Sequence, residues 1–223
     1  MKQQITGCIF DLDGTLADTA PDIAIALNHA LSAVGLTRLS LEETVGMIGN
    51  GIPALVRMAL DHLNEGTERA KDVIDIMMSY YAENYCEGSN LMPGVESCLE
   101  GLDQRGVPMA ICTNKEEDLA KKVTAALGIE SYFKAVVGSR SGLVKKPDPS
   151  MLRIAAAAIN SSLESTMMVG DSEVDAATGT AAKSVTVIVR GGYCHKPYEA
   201  LHVNHIIETM DGLLEILDQQ YLS

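Results

Sequence analysis

An apolar run from Ile5 to Phe10 stops at two carboxylates, Asp11 and Asp13, and a glycine and a threonine follow at once. A short apolar run bounded by turn residues reads as a buried strand, with Asp11-Leu12-Asp13-Gly14-Thr15 as the loop at its end. Residues two apart in an extended segment project the same way. Asp11 and Asp13 therefore stand side by side. Two like charges that close require a cation or a shared proton, unless the pair belongs to a solvated Asp-Gly turn. The rest of the chain decides between these two readings.

From Ala17 to Glu87 the pattern is helical. Pro21 to Val34 has apolar residues at helical spacing, with proline at the start and Gly35 at the stop. Ser40-Leu41-Glu42-Glu43 is a capping box. Gly46, Gly49 and Gly51 interrupt the pattern, which resumes over Ile52 to Leu63 and Thr67 to Cys86. Beyond Glu87 strands and helices alternate. Strands are expected at Pro108–Cys112, Phe133–Val137, Met167–Gly170, Val185–Val189 and Ile206–Ile207. Helices are expected at Pro93–Arg105, Glu116–Leu127, Ser150–Ile159, Glu173–Ala182 and Met210–Gln219. Such alternation implies an α/β fold with a doubly wound parallel sheet, Rossmann-like in layout. The helical block is too long for one crossover. It reads as an all-helical domain, residues 17–87, inserted into an α/β core made of residues 1–16 and 88–223.

A net charge of −13, with 17 basic residues spread along the chain, argues against nucleic acid or an anionic membrane as partner. A small phosphorylated metabolite needs only a local positive site. The five cysteines contain no Cys-x-x-Cys pair, and Cys8 and Cys112 lie in apolar runs. Packed free thiols are expected, as in a reducing compartment. The N-terminus lacks a signal-peptide pattern and no apolar run reaches membrane-spanning length. The expectation is a soluble cytoplasmic protein, monomer or homodimer.

In open parallel sheets the ligand crevice lies outside the carboxyl ends of the strands. That rule gathers Asp11 and Asp13, Thr113 and Asn114, and Asp171 and Ser172 at one edge. Lys146, in the loop Lys145-Lys146-Pro147-Asp148-Pro149, can reach the same edge; Lys145 reads as its solvated neighbour. Three carboxylates, a hydroxyl and a lysine suit a hard cation plus a phosphate. Oxygen ligands and few histidines favour Mg²⁺ over zinc. Met77-Met78 reads as core packing.

Asp11-Leu12-Asp13-Gly14-Thr15-Leu16-Ala17-Asp18 resembles the first motif of the haloacid dehalogenase-like superfamily. Thr113-Asn114, Lys146-Pro147 and Gly170-Asp171-Ser172-Glu173-Val174-Asp175 resemble its second, third and fourth motifs, in order. The helical insertion resembles the cap of the phosphoglycolate phosphatase and β-phosphoglucomutase branch. The resemblance implies that Asp11 is the nucleophile, forming an aspartyl-phosphate, and that Asp13 is the acid/base. It implies that Thr113 and the Asn114 N–H hold phosphoryl oxygens and that Lys146 neutralises charge. Asp11, the Asp13 carbonyl and Asp171 would bind Mg²⁺, with Asp175 behind them. The alternative for Asp175 and Ser172 is an ordinary place in the first turn of a helix, and Thr15 and Asp18 either cap the next helix or support the site.

The carboxylate at Asp13 points to phosphoryl transfer, because the superfamily's dehalogenases lack it. Its phosphonate-cleaving members use a cap lysine, and the only lysine of the helical block is Lys71, in a polar helix start. The loop Ile48-Gly49-Asn50-Gly51 resembles the specificity loop of phosphoglycolate phosphatases, so Gly49, Asn50 and Gly51 are candidates for substrate choice; the alternative is a simple helix-breaking turn. The expected activity is hydrolysis of a small phosphate monoester, phosphoglycolate or a sugar phosphate. The alternatives are a phosphosugar mutase and a receiver-type phosphoacceptor without turnover.

Overall fold

The computed structural model describes residues 4–221. Met1, Lys2, Gln3, Leu222 and Ser223, which the expected core segments include, lie outside the described residues. The chain runs β1 (Gly7–Phe10), β2 (Ala17–Asp18), α1 (Ala20–Ala33), α2 (Leu41–Val45), α3 (Ile52–His62), α4 (Ala70–Glu83), β3 (Asn90–Leu91), α5 (Val95–Gln104), β4 (Met109–Glu116), α6 (Glu117–Ala126), β5 (Phe133–Ser139), α7 (Ser150–Ala158), β6 (Thr166–Gly170), α8 (Glu173–Ala182), β7 (Val185–Val189), β8 (His205–Ile207) and α9 (Gly212–Ile216). α9 continues as a π-helical turn, Leu217–Tyr221.

The main sheet has the order β5-β4-β1-β6-β7-β8, and every pairing in it is parallel. Both faces are covered, as an all-parallel sheet requires. Side chains alternate along β1. Cys8 and Phe10 join a cluster with α5, α6 and α9 through Leu99, Val123 and Leu213. Ile9 joins the opposite cluster with α7 through Met151, Leu152 and Ala155. Cys8, Cys98 and Cys112 are buried free thiols, and burial pushes Cys98 and Cys112 up to about 12.

The chain moves outward from β1 to β4 and β5, then returns to the other side of β1 for β6. That reversal leaves the crevice at the end of β1. Register lines up what flanks it: Phe10 is opposite Ile111 on β4 and Val169 on β6. The next residues on each strand, Asp11, Cys112-Thr113 and Gly170-Asp171, therefore meet at one edge.

The helical block packs on its own apolar cluster, built from α1, α3 and α4 with Leu27, Leu31, Val56, Leu60, Val73 and Met77. Leu119 of α6 and Tyr193 join this cluster from the sheet side. Ser40 and Glu43 form the expected capping box at α2. Residues 17–87 are not all helical, however. Ala17-Asp18 pairs antiparallel with Asn90-Leu91, so the two passages between sheet and helical block form a small ribbon. Two-residue strands carry no periodicity, so nothing in the pattern marks them. Buried Asp22 braces the return passage, accepting from the backbone N–H of Glu87, Gly88 and Ser89. Among the described residues no helix is long and apolar enough to cross a membrane.

Candidate active site

The loop after β1 is wound tightly. Asp11 N–H donates to the Val169 carbonyl at 2.9 Å, and the Leu12 carbonyl accepts from the N–H groups of Thr15, Leu16 and Ala17. Gly14 has φ +84°, and a Cβ there would lie 2.6 Å from an Asp171 carboxylate oxygen. The position thus demands glycine twice, for conformation and for space.

Asp11 Oδ1 accepts from Leu12 N–H at 2.7 Å, and Oδ2 lies 2.9 Å from Lys146 Nζ. The same ammonium donates to Asp175 Oδ1 at 2.7 Å. Asp175 Oδ2 accepts from Ser172 Oγ at 2.7 Å and from the N–H groups of Ser172 and Asp171. Asp175 thus braces the start of α8 and holds Lys146. Asp171 accepts from Thr15 Oγ1 at 2.6 Å and from Tyr193 N–H at 2.7 Å. Thr15 therefore supports the site.

The carboxylates of Asp11, Asp171 and Asp175 are buried and each offers an oxygen within 4.8 Å of the others. Lys146, also buried, answers only one of the three charges. Burial pushes Asp11 up to about 6 against the pull of Lys146, and repulsion from Asp175 and Asp13 adds to the rise. Burial, then Asp175 and Asp11, raise Asp171 well above the usual carboxylate range. A buried oxygen-only cluster with uncompensated negative charge fits a hard divalent cation.

Asp13 has a lysine of its own. Its Oδ1 lies 2.9 Å from Lys115 Nζ and accepts from Thr19 Oγ1 at 2.6 Å. Lys115 also donates to the Tyr81 hydroxyl at 2.9 Å, which joins β4 to α4 of the helical block. Burial works against the Lys115 charge, but Asp13 and Tyr81 outweigh it and its pKa lies above the ordinary value.

Thr113 and Asn114 sit inside β4, which runs on to Glu116 across a register shift; the strand was expected to end before them. Both are buried. Asn114 Oδ1 accepts from Lys146 N–H at 2.9 Å, and its Nδ2 donates to the carbonyls of Gly49 and Lys146. One side chain thus links the strand end, the lysine loop and the helical block.

A cavity of about 230 Å³ opens over these groups. Asp11, Asp13, Thr113 and Asn114 line its floor, while Ile48, Gly49, Gly51, Leu55, Ile74 and Met78 line its roof. Met77 is core, as expected, but Met78 faces this cavity. Asn50 is exposed and is not among the lining residues; the structure does not bring it to the cavity with Gly49 and Gly51. Lys145 is half-buried rather than solvated, because its loop folds back under Gly51. Lys71 is exposed and pairs with Asp75.

Sequence reasoning missed Lys115, Tyr81 and Tyr193. Lys115 follows the strand-end pair Thr113-Asn114 directly, and the same strand-end rule could have included it. Tyr193 joins the site through chain returning after β7. Its hydroxyl donates to Asp18 at 2.7 Å and accepts from Thr19 and Ala20 N–H.

With this fold and this cluster, the chain belongs to the haloacid dehalogenase-like hydrolases, whose family model matches residues 8–189. It is 38% identical over 213 residues to a phosphoglycolate phosphatase of Cereibacter sphaeroides, covering 95% of this chain and 97% of that one. A phosphoglycolate phosphatase of Haemophilus influenzae is 34% identical over 215 residues, covering 93% and 96%. Among solved structures, a predicted phosphoglycolate phosphatase from Haemophilus somnus superposes with a TM-score of 0.89 at 29% identity, covering 96% of this chain and 98% of that one. A β-phosphoglucomutase from Clostridium difficile shares the fold, at TM-score 0.79 and 20% identity, covering 98% and 97%.

Proposed function

We propose that the chain is a Mg²⁺-dependent phosphatase that hydrolyses a small phosphate monoester, phosphoglycolate first among candidates, through an aspartyl-phosphate on Asp11. The family and the relatives make it a phosphoric monoester hydrolase. The observation that carries the mechanism is the separate support of two neighbouring carboxylates: Asp11 held by Lys146 and Asp13 held by Lys115.

Asp11 is the nucleophile. Its Oδ2 lies against the Lys146 ammonium, which holds the carboxylate in place and offsets charge on the phosphoryl group. Thr113 and the Asn114 N–H hold phosphoryl oxygens above it. Asp13 protonates the leaving oxygen, then takes a proton from the water that attacks the aspartyl-phosphate. Asp11, the Asp13 carbonyl and Asp171 would hold Mg²⁺, with Asp175 and Ser172 fixing Lys146 and the start of α8. Held there, the cation would supply Lewis-acid charge neutralisation to the phosphoryl group. Residues 17–87 act as the cap over a core of residues 1–16 and 88–223, excluding water from Asp11. Gly49 and Gly51 bring cap backbone close to a small substrate. The mutase alternative has only the shared fold in support.

The test is phosphate release across a panel of phosphoglycolate, hexose phosphates and nucleotides, with and without Mg²⁺. Multiple turnovers with Mg²⁺, greatest on phosphoglycolate, support the reading. An isomerised sugar phosphate without released phosphate would identify a mutase. One bound phosphate per chain without turnover would identify a phosphoacceptor.

A further inference from the structure

Three lysines stand at this site, and two are neutralised. Lys146 pairs with Asp11 and Asp175, and Lys115 pairs with Asp13. Lys145 differs. It lines the same cavity as Asp11 and Asp13, yet among the described residues its ammonium has neither an ion-pair partner nor a hydrogen-bond acceptor. The acids that share the cavity are engaged elsewhere: Asp11 and Asp13 with their own lysines, and Glu116 in capping α6 through Leu119 N–H.

The Lys145 ammonium lies close to Gly51. A Cβ on Gly51 would lie 2.7 Å from Lys145 Nζ and 3.0 Å from the Asn114 carbonyl oxygen. The ammonium therefore sits where the Gly49–Gly51 loop meets the end of β4, at the boundary between roof and floor. Gly51 has φ +80°, so any larger residue there would be both strained and in collision with the lysine. A half-buried ammonium without a counter-charge is costly, and burial alone holds its pKa below the ordinary lysine value.

We infer that Lys145 is the subsite for a second anionic group on the substrate, distal to the phosphate, so that the cavity selects short phosphate monoesters carrying a carboxylate over those with neutral tails. The inference deepens the phosphatase reading and rests on it for the place of the phosphate. The site's anion balance supports it. The phosphate is met by Lys146, Thr113 and the cation, which leaves Lys145 the one lysine lining the cavity without a partner among the described residues. Ile48, Leu55, Ile74 and Met78 offer the tail no polar contact, so its recognition falls to the polar groups that share the cavity, among which Lys145 is the cation without an acidic partner among the described residues. Lys145 does not touch the reacting atoms. It is a specificity residue, and it should act on binding more than on the chemical step.

The test compares phosphoglycolate with 2-hydroxyethyl phosphate, its analogue of similar size lacking the carboxylate, in wild type, Lys145→Gln and Lys145→Arg. Loss of one charge-assisted contact is expected to raise KM for phosphoglycolate about tenfold in Lys145→Gln, with kcat little changed. KM for 2-hydroxyethyl phosphate should stay within about twofold, and Lys145→Arg should keep most of the preference. Calorimetric binding of both esters in an Asp11→Asn background, with and without Lys145→Gln, reads the subsite without turnover. If wild type turns over neither ester while the Lys145-dependent binding preference persists, the phosphatase reading fails and the subsite stands. An equal loss on both esters, or an unchanged preference in Lys145→Gln, overturns the subsite.

Discussion

Lys115 Nζ lies 2.9 Å from Asp13 Oδ1, and both side chains are largely shielded from water. The pair sets the orientation of Asp13, the proposed acid/base, and through the Tyr81 hydroxyl it ties that orientation to α4. A residue of the helical block thus reaches Asp13 through a single lysine. Position of the block and alignment of Asp13 are coupled by two hydrogen bonds.

Replacing this lysine should hurt most where protonation of the leaving group matters. Lys115→Met is expected to lower kcat roughly 10-fold to 100-fold on alkyl phosphates, a fraction of what general acid catalysis supplies. On p-nitrophenyl phosphate, whose leaving group needs no proton, the loss should be several-fold smaller. Steady-state kinetics on the two ester types checks this. Equal losses on both would remove the positioning role.

The acidic cluster makes metal and pH act together on stability. Asp11 is pushed up to about 6 in the fold against 3.8 for the free group. A raised pKa favours folding fully below the unfolded value, and that contribution is lost as pH rises through about 6. The metal-free protein is therefore penalised near neutrality, where Asp11 must ionise. Mg²⁺ in hundredfold excess over its Kd should raise Tm by roughly 5 to 10 °C near pH 7.5. Near pH 5 protons compete for the same oxygens, and the rise should be less than about half as large. Thermal melts with Mg²⁺ and with EDTA at the two pH values check the sign.

Gly14 links the loop conformation to the acidic cluster. Gly14→Ala must adopt φ +84° and place a methyl group against Asp171, at a backbone cost of about 1 to 2 kcal/mol. Displacing Asp171 should raise the Mg²⁺ concentration for half-maximal activity roughly tenfold. Activity at saturating Mg²⁺ should recover most of the wild-type value. A metal-activation curve measures both.

Much of this arrangement was legible in the sequence, and the limits have physical causes. β7 and α8 fall where apolar runs and helical spacing put them, because each is long enough to show its period. Asp11, Thr113, Lys146 and Asp171 came together through one topological rule applied to strand ends. The ribbon of Ala17-Asp18 with Asn90-Leu91 was invisible because pairing of two residues leaves no pattern. Tyr193 was invisible for another reason: it reaches Asp18 and Asp171 from the far end of the chain, and no local signal encodes that contact. Asn50 shows the limit of a motif. A motif marks a loop but does not say which side chain faces inward, and here the two glycines line the cavity while the asparagine faces solvent.

The proposed nucleophile can be caught. Asp13→Asn should still accept a phosphoryl group from p-nitrophenyl phosphate, since that leaving group needs no acid, but should hydrolyse the product slowly for want of a base. Rapid mixing of this variant with excess p-nitrophenyl phosphate and Mg²⁺ should release a burst of nitrophenolate equal to the chain concentration. Acid quenching and peptide mass analysis should then find the phosphoryl group on Asp11. No burst, or a phosphoryl group on any other residue, would contradict an aspartyl-phosphate at Asp11.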